Sequence, residues 1–351
     1  MTVASSLPLT PDQQDLAAML DSLAAKREVR LADDSDVVSP LIGELAGLGV
    51  WTLGVTEDLG GGGADGATTA VALERLGRHW PALGWSSSQA HAAVEVLRSE
   101  TDAEGLVAGV IAGKTRVAVV DADSHSVHLD WSDGRLVGTV DRVDPAGNDP
   151  HLLILRGADS AVLVSSRHVS GHKLARTGLA GGFTQRLDVD AAETELLVLE
   201  DAEIDAVRAR LAARAAAVAS GIAGGAADAA HAYASGRHQF GGPLTNIATV
   251  RASLLSQLAL ATSAARLAIS SPLDITGAFA ALTTACGAAI DVSAAAVQSH
   301  GGYGYLTEYP VERHLRDAIS LRAAVDVSGL ARTASARHLG DAHRTTRKKG
   351  R

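Results

Sequence analysis

The N-terminal part of the chain places its apolar residues at the spacing of a helix. Leu16, Met19, Leu20 and Leu23 recur three and four residues apart, which puts them on one face. Thr10-Pro11-Asp12-Gln13 precedes this run and predicts a helix start, with Thr10 as the N-cap and the Gln13 side chain reaching back. A second helix is predicted over residues 38–48. Residues 1–115 are therefore predicted to form an N-terminal α-helical domain.

The hydrophobic pattern changes at Arg116. Short runs rich in β-branched and aliphatic residues replace the helical spacing, and Ser132-Asp133-Gly134 supplies a hairpin turn. The predicted strands are 116–120, 126–131, 135–140, 152–155, 161–164, 185–189 and 196–199. This pattern predicts a small middle β domain over residues 116–200.

The helical period returns after Asp201. Long Ala-rich helices are predicted over 202–235, 244–270 and 275–297, and their small side chains suit close packing in a four-helix bundle whose last member begins near Val311. The C-terminal bundle is predicted over 201–340, and the basic tail, 341–351, is predicted to be disordered. The fold class is α+β: helical domain, β domain, helical bundle.

Composition narrows the functional classes. The net charge of −9 argues against a general nucleic-acid binder, which would show a basic face. The only cysteine, Cys286, is predicted to be a small buried hydrophobe, and no disulfide can form within the chain. The apolar run 275–290 is shorter than the roughly 20 residues of a membrane span, and no targeting segment is expected. A cytoplasmic location without membrane association is expected, and no metal site is predicted.

Two stretches contain clustered glycines that invite a functional interpretation. Gly301-Gly302 ends the Ala-rich helical run and permits close approach of a backbone or a phosphate; the alternative is a tight turn between helices with aromatic packing. The run over 60–63 lacks the Lys-Ser/Thr of a phosphate loop and the spacing of a dinucleotide fold. We interpret it as a structural loop.

The stretch from Gln298 to Ala318 resembles the Q-x-x-G-G-x-G-Y…E-Y-P-x-E-R…R-D-A segment of the acyl-CoA dehydrogenase family. Tyr233 to Leu244 is similar to that family's Y-x-x-x-R-x-Q-F-G-x-P-L, and the order of helices and strands agrees over nearly the whole chain. The resemblance implies an FAD shared at a subunit interface, with Arg237 reaching the pyrophosphate of the neighbour's flavin. The residues implied to contact that FAD are Arg237, Gln239, Phe240, Leu244, Gln298, Gly301 and Gly302.

The catalytic base of the family is missing from its usual position. The family's reaction removes a proton from the carbon α to a thioester and needs a carboxylate base. In the family that base follows the Arg of R-D-A by nine residues, and here the position holds Val325. Asp326 is adjacent but rotated by roughly 100° on a helix, and the alternative for it is a solvated helix-face carboxylate. The other known location of the base, on the helix before Arg237, holds Arg210, Leu211 and Arg214 instead.

The flavin-ring platform of the β domain is also altered. Where the family carries T-E-P…G-S-D, this chain reads Val119-Val120-Asp121-Ala122-Asp123-Ser124-His125. Arg142 stands where an aromatic residue normally faces the ring. The losses affect the flavin held by a subunit's own β domain, whereas the retained residues are those offered to a neighbour's flavin.

Three hypotheses follow. The first is a subunit of a hetero-oligomeric acyl-CoA dehydrogenase, whose partner subunit supplies the base and most of the FAD and acyl-CoA site. This resembles the α2β2 acyl-CoA dehydrogenases, whose substrates include CoA thioesters of steroid side chains, with an electron-transferring flavoprotein as a candidate acceptor. The second is a self-sufficient homo-oligomeric flavoenzyme that uses Asp326, His300 or His314 as acid or base. The third is a flavin-free structural or binding protein, in which Arg237 could make a structural ion pair.

Overall fold

The computed structural model describes residues 6–27, 31–270 and 274–348, and its elements fall into three successive groups. The helices are α1 Pro11–Arg27, α2 Ser35–Gly47, α3 Gly66–His79, α4 Pro81–Leu97, α5 Glu104–Ile111, α6 Ile204–Gly236, α7 Ala248–Ser270, α8 Ile275–His300, α9 Val311–Ala324 and α10 Val327–Lys348. The strands are β1 Val117–Asp121, β2 Val127–Ser132, β3 Arg135–Val143, β4 His151–Arg156, β5 Ser160–Val164, β6 Val169–Lys173, β7 Gln185–Ala192, β8 Leu197–Leu199, β9 His238–Gln239 and β10 Gly242–Pro243. The predicted α+β class, with β structure between two helical regions, is confirmed.

The start of α1 forms the reciprocal capping that its sequence predicts. The Thr10 amide donates to Gln13 Oε1 at 3.1 Å, and the Gln13 amide donates to Thr10 Oγ1 at 3.3 Å. Two of the backbone donors that a helix start leaves unpaired are thereby satisfied.

The middle region consists of two four-stranded sheets that pack face to face. One sheet has the order β1-β4-β5-β8, with β1 and β4 parallel, and the other is antiparallel with the order β2-β3-β7-β6. Asp133 and Gly134 both have positive φ in the β2–β3 hairpin, as a type I′ turn requires. β6 was missing from the predicted strands because its residues, Val-Ser-Gly-His-Lys, are largely polar and exposed.

The first sheet is covered on both faces. Leu152 and Ile154 of β4 point into the core between the sheets, whereas Leu153 and Leu155 point into the core shared with the helices. This double burial explains why β4 reads as a continuous apolar run rather than an alternating one.

α6 lies at the centre of the helical regions and packs against α3, α4, α7, α8 and α9. Its approach to α3 depends on glycine, since a Cβ on Gly77 would collide with the Val218 carbonyl and one on Gly221 with the Glu74 carbonyl. The Ala- and Gly-rich sequence of α6 is therefore a packing requirement on several faces.

The prediction of a bundle whose fourth and last helix begins near Val311 needs correction. Within the described residues the C-terminal region has five helices, because the chain leaves α9 at Val325 and Asp326 has a φ of +40°. The carboxylate of Asp326 then accepts from the Gly329 amide at 2.9 Å, which starts α10.

The predicted disorder of the tail is also corrected in part. α10 continues to Lys348, and only 349–351 of the predicted tail lie outside the described residues. Neither glycine nor proline interrupts residues 341–349, and Ala, Arg and Lys are good helix formers.

Two of the described helices, α7 and α8, are long and apolar enough to cross a membrane by length and composition alone. The apolar run predicted from the sequence covered only 275–290, whereas α8 extends ten residues further, to His300. Both helices pack against α6 and against each other, as core helices of water-soluble proteins do, so this resemblance to a span is weak evidence.

Candidate functional site

A tight hairpin follows α6 and displays a large aromatic side chain. β9 and β10 pair across the turn Gln239-Phe240-Gly241-Gly242, in which Phe240 and Gly241 have φ values of +55° and +86°. Phe240 is 91% exposed. A bulky residue with positive φ at the tip of a turn is strained, and such strain is concentrated at functional positions.

Arg237 joins α6 to this hairpin. Its amide donates to the Tyr233 carbonyl at 2.9 Å, and its carbonyl accepts from the Leu244 amide at 2.8 Å. The guanidinium lies over the ring of Tyr303, with Cζ 5.6 Å from the ring centre. Within the described residues no carboxylate pairs with Arg237. The ion pair proposed under the flavin-free hypothesis is therefore not among its contacts.

The end of α8 lies beside this arginine. Gln298 is exposed, and its carbonyl accepts from the amide of Gly301, which has a φ of +57°. Gly302 is exposed as well. Tyr303 follows directly and makes the contact with Arg237, so the structure brings the two glycine-containing motifs together. We call this region, namely Arg237, Gln239, Phe240, Gln298, Gly301 and Gly302, the hairpin surface.

Leu244 is part of the hairpin but has a different role. It is partly buried and packs against the main core, while its amide closes the hairpin onto Arg237. Tyr303, in contrast, was not predicted as a site residue. An aromatic ring next to a glycine pair was the available signal, but its contact with Arg237 depends on the meeting of α6 and α8.

A second candidate site lies between the β region and the helices. A cavity of about 310 Å³, which we call the cleft, is bounded by α4, α6, the α9–α10 junction and the ends of β1 and β3. Val325 and Asp326 both line it, together with Leu211 and Arg142. The valine that the sequence comparison predicts at the position of the base therefore faces the cleft.

Asp326 is occupied by structural contacts. Besides the Gly329 amide it accepts from Ser124 Oγ at 2.6 Å, and Arg332 and His125 stand 3.9 and 3.8 Å from its oxygens. The predicted alternative, a solvated helix-face carboxylate, is incorrect in detail, since the residue caps α10 and only 22% of its side chain is exposed.

Arg142 forms a clamp across the cleft. Its guanidinium pairs with Asp144, with Nε 2.9 Å from Oδ2, and donates to the Ser320 carbonyl of α9 at 3.1 Å. Asp144 is 1% exposed at its side chain and also accepts from Thr184 Oγ1. The residue in place of the expected aromatic thus ties β3 to α9.

The other charged groups of the cleft are paired too. Arg208 of α6 bonds Asp121 at the end of β1, with Nε 2.5 Å from Oδ2, and His128 Nε2 lies 3.0 Å from Asp141 Oδ2. Hydrogen bonds from α6 and α9 therefore hold the strand ends to the helices.

Arg210, Leu211 and Arg214, the residues predicted at the alternative base location, lie on α6. Leu211 faces the cleft, whereas Arg210 and Arg214 do not line it and bond Glu95. Burial would raise the pKa of Glu95, but the two guanidinium groups hold that pKa below its ordinary value.

Neither histidine of the second hypothesis is among the residues that line the cleft. His300 is 3% exposed and donates from Nδ1 to the Ala296 carbonyl at 2.8 Å; burial lowers its pKa. Burial, with help from Arg313, Arg78 and His79, lowers the pKa of His314 to about 3. Cys286 is buried, and burial raises its pKa to about 12, which agrees with the prediction of an inert hydrophobe.

The glycine run at 60–63 serves its own loop. Gly60 and Gly63 have positive φ, and a Cβ on Gly61 would collide with the Val55 backbone. These constraints account for the glycines and agree with the interpretation of a structural loop.

The two sites differ in whether they suit FAD. The hairpin surface suits a pyrophosphate, because Arg237 presents a guanidinium without an anionic partner among the described residues, beside the two exposed glycines. The cleft does not suit an isoalloxazine ring. Four carboxylates line it, and the guanidinium groups of Arg142 and Arg208 are already bonded to Asp144 and Asp121.

Comparison with known proteins identifies related chains. Residues 10–103 match the model of the acyl-CoA dehydrogenase N-terminal domain, and residues 204–339 match that of the acyl-CoA dehydrogenase C-terminal domain. Together these matches cover more than half of the chain.

Full-length and partial relatives agree. The human mitochondrial short-chain specific acyl-CoA dehydrogenase is 27% identical over 390 aligned positions, which cover 98% of this chain and 94% of that protein. The rat enzyme of the same name is 36% identical over 127 residues, but this alignment spans 34% of this chain and 30% of that protein.

Solved structures share the fold. Butyryl-CoA dehydrogenase from Megasphaera elsdenii superposes with a TM-score of 0.77 at 23% identity, over 94% of this chain and 99% of that one. Glutaryl-CoA dehydrogenase from Mycobacterium smegmatis gives a TM-score of 0.78 at 14% identity, over 94% and 95% of the two chains. At such identities the likeness establishes the fold alone.

Proposed function

Because this chain belongs to the acyl-CoA dehydrogenase family of FAD-dependent oxidoreductases acting on CH–CH bonds, we propose that it is a subunit of a hetero-oligomeric acyl-CoA dehydrogenase. A second subunit of the same family supplies the catalytic carboxylate, the flavin-ring platform and the acyl-CoA thioester site. This chain completes the partner's FAD site through its hairpin surface. The FAD held there would supply the hydride acceptor for the β carbon of the acyl group.

The observation that carries the proposal is the contrast between the two sites. Arg237 stands without an anionic partner among the described residues, on a surface with an exposed aromatic and two glycines. In the cleft, Val325 cannot accept a proton, and Asp326 is engaged by Ser124 and by the start of α10. If the chain had simply lost its function, the residues of the hairpin surface and those of the cleft should have changed alike.

In the proposed complex Arg237 holds the pyrophosphate of the partner's FAD by charge-assisted hydrogen bonds, for which the planar guanidinium is well suited. Gln298 and the backbone at Gly301 and Gly302 lie beside it and offer further polar groups. Phe240 inserts at the subunit contact. An electron-transferring flavoprotein is the proposed electron acceptor.

The first experiment compares the chain alone with the chain co-expressed with candidate family subunits. We expect the isolated chain to carry FAD weakly or not at all, and a stable complex to carry it, as judged by flavin absorbance after gel filtration. Tight, stoichiometric flavin in a purified homo-oligomer would contradict the proposal and favour a self-sufficient enzyme.

The second experiment removes the central contact. Arg237→Ala should weaken FAD binding by the reconstituted apo-complex about 10- to 150-fold, since a hydrogen bond to a charged group contributes roughly 1.5–3 kcal/mol. Arg266→Ala removes an exposed arginine of α7 that donates to the Ser6 carbonyl, and it serves as the matched control. Equal affinities for wild type and Arg237→Ala would refute the shared site.

A further inference from the structure

The chain's tyrosines are concentrated at one place in the fold. It contains four tyrosines, and all of them lie in the two motifs that form the hairpin surface: Tyr233, Tyr303, Tyr305 and Tyr309. Aromatic residues make up only 3% of the chain, so its hydrophobic cores are built mainly from aliphatic side chains. The tyrosines are instead gathered in this one region.

Three of these tyrosines and one histidine form a connected aromatic cluster. Tyr233 stacks on His300 with ring centres 4.1 Å apart, and the Tyr309 ring meets His300 edge-on at 5.6 Å. Tyr303 contacts Tyr309 at 5.6 Å. The cluster joins the last turn of α6, the last turn of α8 and the loop before α9.

The geometry of Arg237 on this cluster decides what the arginine can bind. Its guanidinium lies over the face of the Tyr303 ring. A cation–π contact with the ring does not pair the guanidinium with an anion, so its N–H groups stay available for hydrogen bonds to a phosphate. A side-chain carboxylate in place of the ring would instead have consumed those donors.

We infer that Tyr303 is a positioning residue, which holds the Arg237 guanidinium over its ring so that the N–H groups meet the phosphates of the partner's FAD. This inference rests on the proposed function and adds the element that pre-orders the arginine. Pre-ordering matters because immobilising a long side chain on binding costs about 0.5–1.5 kcal/mol, a cost that is reduced when the side chain is already held.

The cluster gives Tyr303 a fixed support. His300 is held by its hydrogen bond to the Ala296 carbonyl, and burial lowers the pKa of its ring. Gly304 lies against the Val297 carbonyl, where a Cβ would collide, so the loop that carries Tyr303 is packed closely onto α8. Tyr303 itself is 42% exposed, and its removal should therefore affect stability little.

The test is FAD titration of the reconstituted apo-complex, with gel filtration to verify assembly and thermal unfolding of the subunit measured in parallel. Tyr303→Leu should weaken FAD binding by about 2- to 30-fold, the range expected from loss of a cation–π contact. Tyr303→Phe keeps the ring and should bind like wild type. If Tyr303→Leu fails to assemble, Tyr303→Met replaces it in the same comparison.

A matched control exists on the β region. Arg156 lies over the Trp131 ring at 5.9 Å, and Trp131 is 40% exposed, so Trp131→Leu removes an equivalent contact far along the chain from the hairpin surface. We expect it to leave FAD affinity unchanged.

The outcomes separate the inference from the proposed function. Equal FAD affinity of Tyr303→Leu and wild type, with a weakened Arg237→Ala, would overturn the positioning role and leave the shared site standing. A Tyr303→Phe variant as weak as Tyr303→Leu would also overturn it, because the ring would then not be what matters. If Arg237→Ala binds FAD normally, the shared site itself fails.

Discussion

Asp326 illustrates how one carboxylate can line a cavity without being available for chemistry. It has a positive φ, accepts the amide that starts α10 and accepts a hydrogen bond from Ser124 across the cleft. Asparagine tolerates positive φ and caps helices as well as aspartate does, and the Ser124 hydroxyl can rotate to suit an amide. The two residues therefore differ mainly in whether they can accept a proton.

We expect Asp326→Asn to leave the turnover of the assembled complex nearly unchanged, whereas Asp326→Ala should cost about 0.5–2 kcal/mol of unfolding free energy through the lost cap. Steady-state turnover and denaturant unfolding measure the two effects. A fall in turnover of 100-fold or more for Asp326→Asn, with the complex intact, would make Asp326 a general base.

The sequence alone places Val325 and Asp326 side by side but could not assign a role to Asp326. Counting from Arg316 leads to Val325, which lines the cleft, and its correspondence to the family's base position stays a prediction. The role of Asp326 depends on a helix break and on Ser124, which is 202 residues away. Likewise Arg142 was visible as an unexpected residue, but its bond to the Ser320 carbonyl required the tertiary structure.

At the scale of elements, Arg142 of β3 both donates to the Ser320 carbonyl of α9 and pairs with the buried Asp144 carboxylate. Arg142→Ala would leave the Asp144 carboxylate, 1% exposed, without its cationic partner. Breaking such a pair costs about 3–5 kcal/mol, although the 25% exposure of Arg142 places this example at the lower end. Urea unfolding of the isolated chain measures the effect.

A matched control lies on the same strand. Arg135 pairs with Asp190, and both side chains are well exposed, at 45% and 69%. Arg135→Ala should change stability by less than about 1 kcal/mol. Similar losses for the two variants would mean that Arg142 is no more than a surface ion pair.

Replacing glycine by alanine should have opposite effects on stability at two helical positions, Gly77 and Gly287. A Cβ on Gly77 of α3 would collide with the backbone of α6 at Val218, so Gly77→Ala should destabilise the chain by about 1–3 kcal/mol. Gly287 of α8 has no atom within 4 Å of such a Cβ, and Gly287→Ala should stabilise the helix by about 0.5–1 kcal/mol. Thermal unfolding of the isolated chain distinguishes them, and a Gly77→Ala variant as stable as wild type would contradict the close packing of α3 on α6.

The elements were predictable to the extent that local pattern determines them. The Thr10 capping box, the Asp133-Gly134 turn and the alternation of strands and Ala-rich helices are encoded within a few residues. The end of α9 could not be predicted, because the chain has neither glycine nor proline at Val325 and Asp326, where the helix ends. β6 was missed because its polar sequence becomes a strand only beside β7.

At the scale of the whole molecule, buried titratable groups make stability depend on pH. Burial lowers the pKa values of His91 and His314 to about 3, below the 6.5 expected when unfolded. The folded chain therefore binds fewer protons than the unfolded chain below pH 6.5, and stability falls as the pH decreases. Asp317 acts oppositely, since burial raises its pKa from 3.8 to about 6, and its contribution to stability falls as the pH rises between those values.

For these three groups the balance favours acid sensitivity. Between pH 6 and 4 two histidines oppose one aspartate, which leaves a fall of about 1.4 kcal/mol for each unit of decreasing pH. His314→Leu removes one of the two histidines and should reduce that slope by the same amount, to nearly zero for these groups. His314→Leu also changes the packing against Gly225. That change alters the free energy of unfolding by the same amount at every pH, so the slope of the free energy of unfolding against pH is not affected. Denaturant unfolding of the wild type and of His314→Leu at several pH values gives the two slopes. Equal slopes would show that the His314 imidazole titrates in the folded chain as it does when exposed to water.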